Sequence, residues 1–434
     1  MDRHYIQTLV ERGRYFLEEC NYEKAIDFFL RALEMDTDLP DALEGLGQAY
    51  AALNDWTAAV RAFEALVNVV PEDGFASYLL GHVLGGAGEY ESSLRELRRA
   101  KDLGYDTPEL HAAMGYSLHM LGDIDAALSE YETALRLEPD DTTTLFNAGK
   151  LLASVGRLDD AKIMLERVTD IDPDDATAWI ALGEVYEDLD SLEDAVESYK
   201  RAVEINPSDI RARCLVARAC TLLGMLDEAE WEFMQVLADE PESGSAWAGL
   251  GEVLLAGERF EEAVVAFKRA IEIEPTSPFA LTGYVYACEN AGSLMDAQAV
   301  LVSATKIDPN NCTLWHLLAG FESARNDQER AIEAYKRVLE IDPDDAVAHS
   351  GIARSLMILD ENLEEAKKHL MESVRLDPEW HYPYVQLGEI AIREKDFESA
   401  ARWFIRAKEL GVDDQELLEY LSDPTIERIM AREK

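Results

Sequence analysis

Small residues recur along this chain at one fixed distance. Ala25, Ala59, Ser93, Ala127, Ala161, Ala195, Ala229, Ala263, Ala297 and Ala331 follow one another at 34-residue intervals. Ala366 comes one residue late, and Ala400 resumes the spacing. Self-similarity at a period of about 34 residues is the signature of stacked helical hairpins, each too small to bury its own apolar face. No other property of the sequence restricts the fold as strongly.

Three further ladders run in phase with the first. Four residues on stand Phe29, Phe63, Leu97, Tyr131, Leu165, Tyr199, Phe233, Phe267, Leu301, Tyr335, Leu370 and Phe404. A small residue and a large apolar one at i and i+4 share a helix face. Earlier in each repeat come Gly13, Gly47, Gly81, Gly115, Gly149, Gly183, Ala217, Gly251, Val285, Ala319, Ala353 and Gly388. Glycine inside a helix costs about 1 kcal/mol relative to alanine, so it is expected where two helices approach closely. Val285 breaks that ladder and predicts a wider contact. Pro71, Pro139, Pro173, Pro207, Pro241, Pro275, Pro309, Pro343 and Pro378 end the repeats, because proline cannot continue a helix. Acidic or polar residues follow them and can cap the next helix. Two repeats use glycine there, near Gly104 and Gly411. Within one repeat the first helix reads Trp179 to Tyr186, the turn lies near Asp188–Ser191, and the second helix spans Leu192 to Ile205. The extra residue before Ala366 is expected in the turn at 360–362, where a loop absorbs it.

Trp179, Leu182, Gly183, Tyr186, Ala195, Tyr199, Ala202 and Pro207 stand at a spacing that resembles the tetratricopeptide repeat family. The pattern recurs, with variation, from Ile6 to Val412. The resemblance implies an all-α, right-handed superhelical solenoid of tandem helix-turn-helix repeats. About twelve repeats would start near 6, 40, 74, 108, 142, 176, 210, 244, 278, 312, 346 and 381. Residues 413–434 read as a C-terminal helical cap, with Ile426, Ile429 and Met430 packing on the last repeat. One repeat cannot stand alone: ordering it costs roughly 50 kcal/mol at about 1.5 per residue. Stacking therefore makes residues 6–412 one continuous array.

The chain has 434 residues, 87 of them acidic against 40 basic, for a net charge of −47. Such a surface repels phosphate backbones and anionic lipids, so neither nucleic acid nor membrane is expected as a partner. An acidic composition in which arginine outnumbers lysine also suits a high-salt environment. No run of about 18 apolar residues exists. Met1-Asp2-Arg3-His4 leads into amphipathic sequence with no signal-peptide features. Cys20, Cys214, Cys220, Cys288 and Cys312 form no Cys-x-x-Cys pair. A sparse, odd set of thiols points to a reducing cytoplasm.

Catalytic motifs for zinc proteolysis, phosphate cradling or nucleophilic serine chemistry are missing. We therefore expect no enzyme activity, no cofactor and no metal. His111 and His349 occupy the slot held elsewhere by Trp179, Trp247 and Trp315 and read as partly buried packing residues rather than metal ligands. Cys220 and Cys288 read as core thiols.

In the family resembled, first helices line a concave side. The inward residues are the second, fifth, ninth, twelfth and thirteenth of each repeat. On this sequence that rule selects Phe75, Tyr78, His82, Tyr116, His119, Phe146 and Lys150, with Glu109 the sole acid. Gly85 and Gly86 would leave room for a ligand backbone. A second patch holds Phe279, Tyr286, His316 and Arg354, and Glu184, Glu187 and Asp188 form an acidic band between the two. Aromatics with polar neighbours make good anchors. The same rings could instead pack against neighbouring first helices. The expected function is a non-catalytic scaffold or adaptor binding a peptide or protein surface in the groove. The alternative is a substrate-targeting or regulatory subunit of a separate enzyme such as a glycosyltransferase. Family members that grip chaperone C-terminal tails use lysines at the fifth inner position and asparagines at the ninth. Here the fifth positions include Val10, Glu44, Tyr78, Ala112, Phe146, Ile180, Ala248 and His316, and no asparagine takes the ninth, so that carboxylate clamp is not expected. Self-association through a spare repeat end or the groove stays open.

Overall fold

The computed structural model of the chain describes residues 3–360, 362–411, 420–422 and 426. Among the described residues there are 24 helices and no strand. The helices fall into two compact units, residues 1–212 and 213–434. The first contains α1 (Arg3–Glu18), α2 (Tyr22–Leu33), α3 (Pro40–Ala52), α4 (Trp56–Val69), α5 (Gly74–Gly86), α6 (Tyr90–Asp102), α7 (Pro108–Met120), α8 (Ile124–Leu137), α9 (Thr142–Ser154), α10 (Leu158–Ile171), α11 (Ala176–Asp188) and α12 (Leu192–Ile205). The unit boundary falls within α13 (Ile210–Leu222). The second unit contains α14 (Leu226–Asp239), α15 (Gly244–Ala256), α16 (Phe260–Ile273), α17 (Pro278–Ala291), α18 (Leu294–Ile307), α19 (Cys312–Ala324), α20 (Gln328–Ile341), α21 (Ala346–Ile358), α22 (Leu363–Leu376), α23 (Tyr382–Arg393) and α24 (Phe397–Glu409).

Within each unit, consecutive helices pair as hairpins and each hairpin packs on the next. The ladders explain how. Ala25, Ala59, Ala127, Ala161 and their successors are fully buried, as are Phe29, Leu97, Leu165 and Leu370. A Cβ on Gly13 would stand 2.6 Å from the Phe29 ring, and one on Gly115 would stand 2.7 Å from Tyr131. Where the first helix keeps its ladder glycine, the bulky side chain of the same repeat lies against it. Phe29 also fills the space beside Gly45, and Phe267 the space beside Gly283, in the repeat that follows. One aromatic ring therefore joins three helices. Burying each such side chain contributes about 1.5–3 kcal/mol. Where Val285 replaces the glycine, α17 and α18 pack more loosely than the hairpins that keep it.

The acidic residues after the prolines cap as expected. Asp73 accepts from the Phe75 N–H at 2.9 Å, Asp175 from Thr177 at 2.8 Å, and Asp345 from Ala348 at 2.7 Å. The indoles in the fourth slot bond back across the same junction. Trp179 donates to the Pro173 carbonyl at 3.0 Å, Trp247 to Pro241 at 2.9 Å and Trp315 to Pro309 at 2.9 Å. The Tyr384 hydroxyl makes the same contact with Pro378 at 3.0 Å.

His111 sits in this slot in a repeat that lacks the proline, and its surroundings differ. The expectation of partial burial is corrected: the residue is only 2% exposed. Its Nδ1 lies 2.5 Å from a Glu130 carboxylate oxygen and its Nε2 2.9 Å from Asp106. His349, half-buried beside Pro343, meets His369 Nδ1 to Nδ1 at 2.8 Å. Cys220 and Cys288 are buried, as core thiols should be. Tyr420, Leu421 and Ile426 pack on α24, with the Tyr420 ring stacked 4.9 Å from Phe404. Ile429, Met430 and most of the segment 413–434 lie outside the described residues, as does Glu361 in the turn that takes the extra residue. No helix among the described residues is long and apolar enough to cross a membrane.

Candidate functional site

Three first helices of the first unit, α5, α7 and α9, present the residues of the expected first patch. Tyr78, His82 and Tyr116 line one cleft of about 450 Å³. Behind Tyr78 an aromatic cluster fixes its ring. Tyr105 lies 5.0 Å from it, Phe75 lies 6.2 Å from it, and these two lie 5.6 Å apart. The His82 ring centroid lies 6.0 Å from Tyr78 on the other side. Tyr116 is 38% exposed and meets Tyr90 edge-on at 6.2 Å. The floor is polar but satisfied: the Ser93 hydroxyl donates to the Gly81 carbonyl at 2.6 Å and lies 2.9 Å from the Ser117 hydroxyl.

Burial sets the electrostatics of this cleft. It pushes the Tyr78 phenol up to about 12, helped by Tyr105 and Glu109. Burial, then Tyr90, also raises Tyr116. His82 reaches solvent at the cleft edge, yet desolvation by the surrounding protein holds its pKa below the ordinary histidine value. It is therefore neutral at pH 7 and adds no positive charge.

Other expected members of the patch stand elsewhere. Phe75 braces Tyr78 from behind. His119 is half-buried, and desolvation lowers its pKa. Phe146 is half-buried against the cores around Leu145 and Leu165, with the Lys150 ammonium 5.8 Å from its ring centre. For Phe146 the alternative of packing against neighbouring helices holds.

Two expectations need correction. Gly86 does not make room for a ligand backbone: a Cβ there would lie 2.8 Å from the Trp56 indole, which fills the space. Glu109 is not the sole acid either, because Asp141 also lines the cleft. The Asp141 carboxylate is engaged, accepting from the Thr144 N–H at 3.0 Å and from the Thr144 hydroxyl. Trp56, Tyr105 and Asn147 were missed because the inward-position rule covers only certain residues of first helices. Trp56 opens a second helix and Tyr105 lies in a linker. A signal for Trp56 did exist: Gly86 is a glycine where neighbouring repeats carry Ala52, Met120 and Ser154.

In the second unit, Tyr286 and His316 line a cleft of about 400 Å³ between α17 and α19. His316 Nε2 lies 2.8 Å from Asp345. Phe279 is 55% exposed outside this cleft, and Arg354 lies over the Tyr382 ring at 5.8 Å. Of the acidic band in the first unit, Glu184 pairs with Arg211 at 2.6 Å and Glu187 accepts from the Tyr199 hydroxyl at 2.9 Å. Among the described residues no three His, Cys, Asp or Glu side chains converge as metal donors.

A family model described as the C-terminal domain of cilia and flagella-associated protein 70, a tetratricopeptide-repeat domain, matches residues 107–350, more than half of the chain. A tetratricopeptide-repeat model matches residues 10–77. The chain belongs to the tetratricopeptide repeat family. Curated tetratricopeptide-repeat relatives are distant. Human protein O-mannosyl-transferase TMTC3 is 25% identical over 180 residues, 40% of this chain and 19% of that protein. Human mitochondrial import receptor subunit TOM70 is 22% identical over 190 residues, 41% of this chain and 30% of that protein. The chain thus spans less than a third of the length of these relatives. Among solved structures, yeast Tom70 is 16% identical, with 99% of this chain and 96% of that one covered and a TM-score of 0.47.

Proposed function

We propose that the chain is a non-catalytic interaction scaffold that holds a peptide or protein surface against its first helices, chiefly at the cleft between α5, α7 and α9. Tetratricopeptide-repeat proteins serve as protein-interaction scaffolds. The observation that carries the assignment to this cleft is Tyr116, exposed beside a half-buried aromatic cluster that holds Tyr78 rigid. A pre-ordered aromatic with one face open is what a binding anchor needs. The partner class is protein, since a surface of net charge −47 repels nucleic acid and anionic lipid. Chaperone tails are not expected, because the lysines of a carboxylate clamp are missing at the fifth positions. The thiol pattern supports work in a reducing, cytoplasmic compartment.

Selection from a random short-peptide library tests this reading. Peptides enriched on the wild-type chain should lose more than about tenfold in affinity on a Tyr78→Ala/Tyr116→Ala chain of unchanged helicity, the loss expected for two aromatic anchors. Enrichment indifferent to both tyrosines would remove the cleft from the account.

A second reading has its own support. The match to an O-mannosyl-transferase over 40% of this chain favours a targeting or regulatory subunit of a separate enzyme. It predicts stoichiometric co-purification with one glycosyltransferase from native cells, and recovery of the chain without any such enzyme would sink it.

A further inference from the structure

We propose that the cleft between α5, α7 and α9 receives a lysine or arginine side chain of the bound peptide, among the rings of Trp56, Tyr78 and Tyr116, with Glu109 supplying the countercharge. The inference rests on the reading that this cleft binds a peptide, and it names the chemistry of the anchor.

Aromatic rings present negative electrostatic faces, and a cation within about 6 Å of a ring centre is attracted to them, more strongly when water is excluded. Trp56, Tyr78 and Tyr116 all line this cleft. The indole is the best such acceptor, and its place is set by Gly86, over which it lies. Among the described residues no lysine or arginine lines the cleft, so none of them places a cation on the rings. His82, the one basic group that lines it among the described residues, is kept neutral by desolvation. The ionisable acids there are Glu109 and Asp141. Asp141 is engaged with the N-terminus of α9, whereas Glu109 is exposed and has no hydrogen-bonded partner among the described residues. Glu109 is therefore free to pair with an incoming cation. On α9 itself the same kind of contact already forms within the chain, with the Lys150 ammonium 5.8 Å from the Phe146 ring centre. The long-range field agrees: a net charge of −47 draws a basic segment in and repels an acidic one. An aliphatic anchor would fill the volume but would leave Glu109 without a role.

The test uses the full chain and the peptides selected on it. Each enriched peptide is compared with a copy in which one lysine or arginine is replaced by norleucine, which keeps the aliphatic stem and removes the charge. We expect lysine or arginine at a fixed place in the enriched set and a loss of about tenfold in affinity on the norleucine swap. Glu109→Gln should weaken the charged peptide by about fivefold and leave the norleucine copy within about twofold. Tyr116→Leu should weaken the charged peptide while Tyr116→Phe does not, because only leucine removes the ring. Should Tyr116→Leu fail to fold, the exposed Glu109→Gln still decides. Enriched peptides that need Tyr78 and Tyr116 but carry acidic or purely apolar anchors, or ignore the norleucine swap, would overturn the inference and leave the scaffold reading standing. Enrichment that needs neither tyrosine would remove both.

Discussion

Gly183 and Gly320 occupy first helices of the same kind, yet adding one methyl group should have opposite effects. A Cβ on Gly183 would stand 2.5 Å from the Tyr199 ring, which is locked between helices. Gly183→Ala is expected to cost about 1–3 kcal/mol through overpacking, despite the better helix propensity of alanine. Outside its own helix backbone and chain neighbours, no described atom lies within 4 Å of a Cβ on Gly320, so Gly320→Ala should gain up to about 1 kcal/mol. Urea midpoints of the two variants should move in opposite directions, and a shared direction would contradict the packing account. Histidines add a pH dependence at this scale. Burial first, then His349, holds His369 below its ordinary value of 6.5. Its folded state favours the neutral ring, so its contribution is present above about pH 6.5 and is lost as pH falls below that. His369→Gln should flatten the fall in stability that the wild type shows from pH 6.5 downward. The glycine pairing was legible in sequence because small and bulky ladders repeat in phase. The partners of His111, Asp106 and Glu130, were not, because a single slot in one repeat carries no period.

Between the two helices of a hairpin, the chain passes through a left-handed conformation. It does so at Cys20, Asn54, Gly88, Gly122, Gly156, Asp190, Gly224, Glu258, Gly292, Asn326, at both Asp360 and Asn362 in the longer turn and, after the inserted residue, at Lys395. An aspartate or asparagine that follows it caps the second helix, as Asp55 does by accepting from Ala58 at 3.0 Å. Glu258 holds φ at +57° with an exposed side chain, so it bears a steric cost that glycine would relieve. Glu258→Gly is expected to raise stability by roughly 0.5–1 kcal/mol, after the entropic cost of glycine. A denaturant melt showing destabilisation would contradict that geometry. Sequence reading located these turns from helix spacing alone. The ladder was there to be found, since most of its members are glycine, asparagine or aspartate at the 34-residue interval. Cys20, Glu258 and Lys395 obscured it, because nothing in those residue types announces a left-handed backbone.

The cleft gathers α5, α7 and α9 because stacking sets one first helix beside the next, so anchors about 34 residues apart in sequence become neighbours. That much followed from the period. The indole of Trp56 did not, since it arrives from the hairpin before and through a space left by Gly86. Across the whole chain, 87 acidic residues against 40 basic ones repel one another. Screening should relieve that, and the melting temperature is expected to rise between about 0.01 M and about 1 M sodium chloride. A flat or falling curve would show that the surface charge carries no such cost. The most direct test of the central claim is backbone hydrogen exchange of the full chain with and without a selected peptide. Slower exchange confined to α5, α7 and the start of α9 is the predicted footprint. Protection on the second helices α6 and α8 alone, with the first helices unchanged, would contradict it.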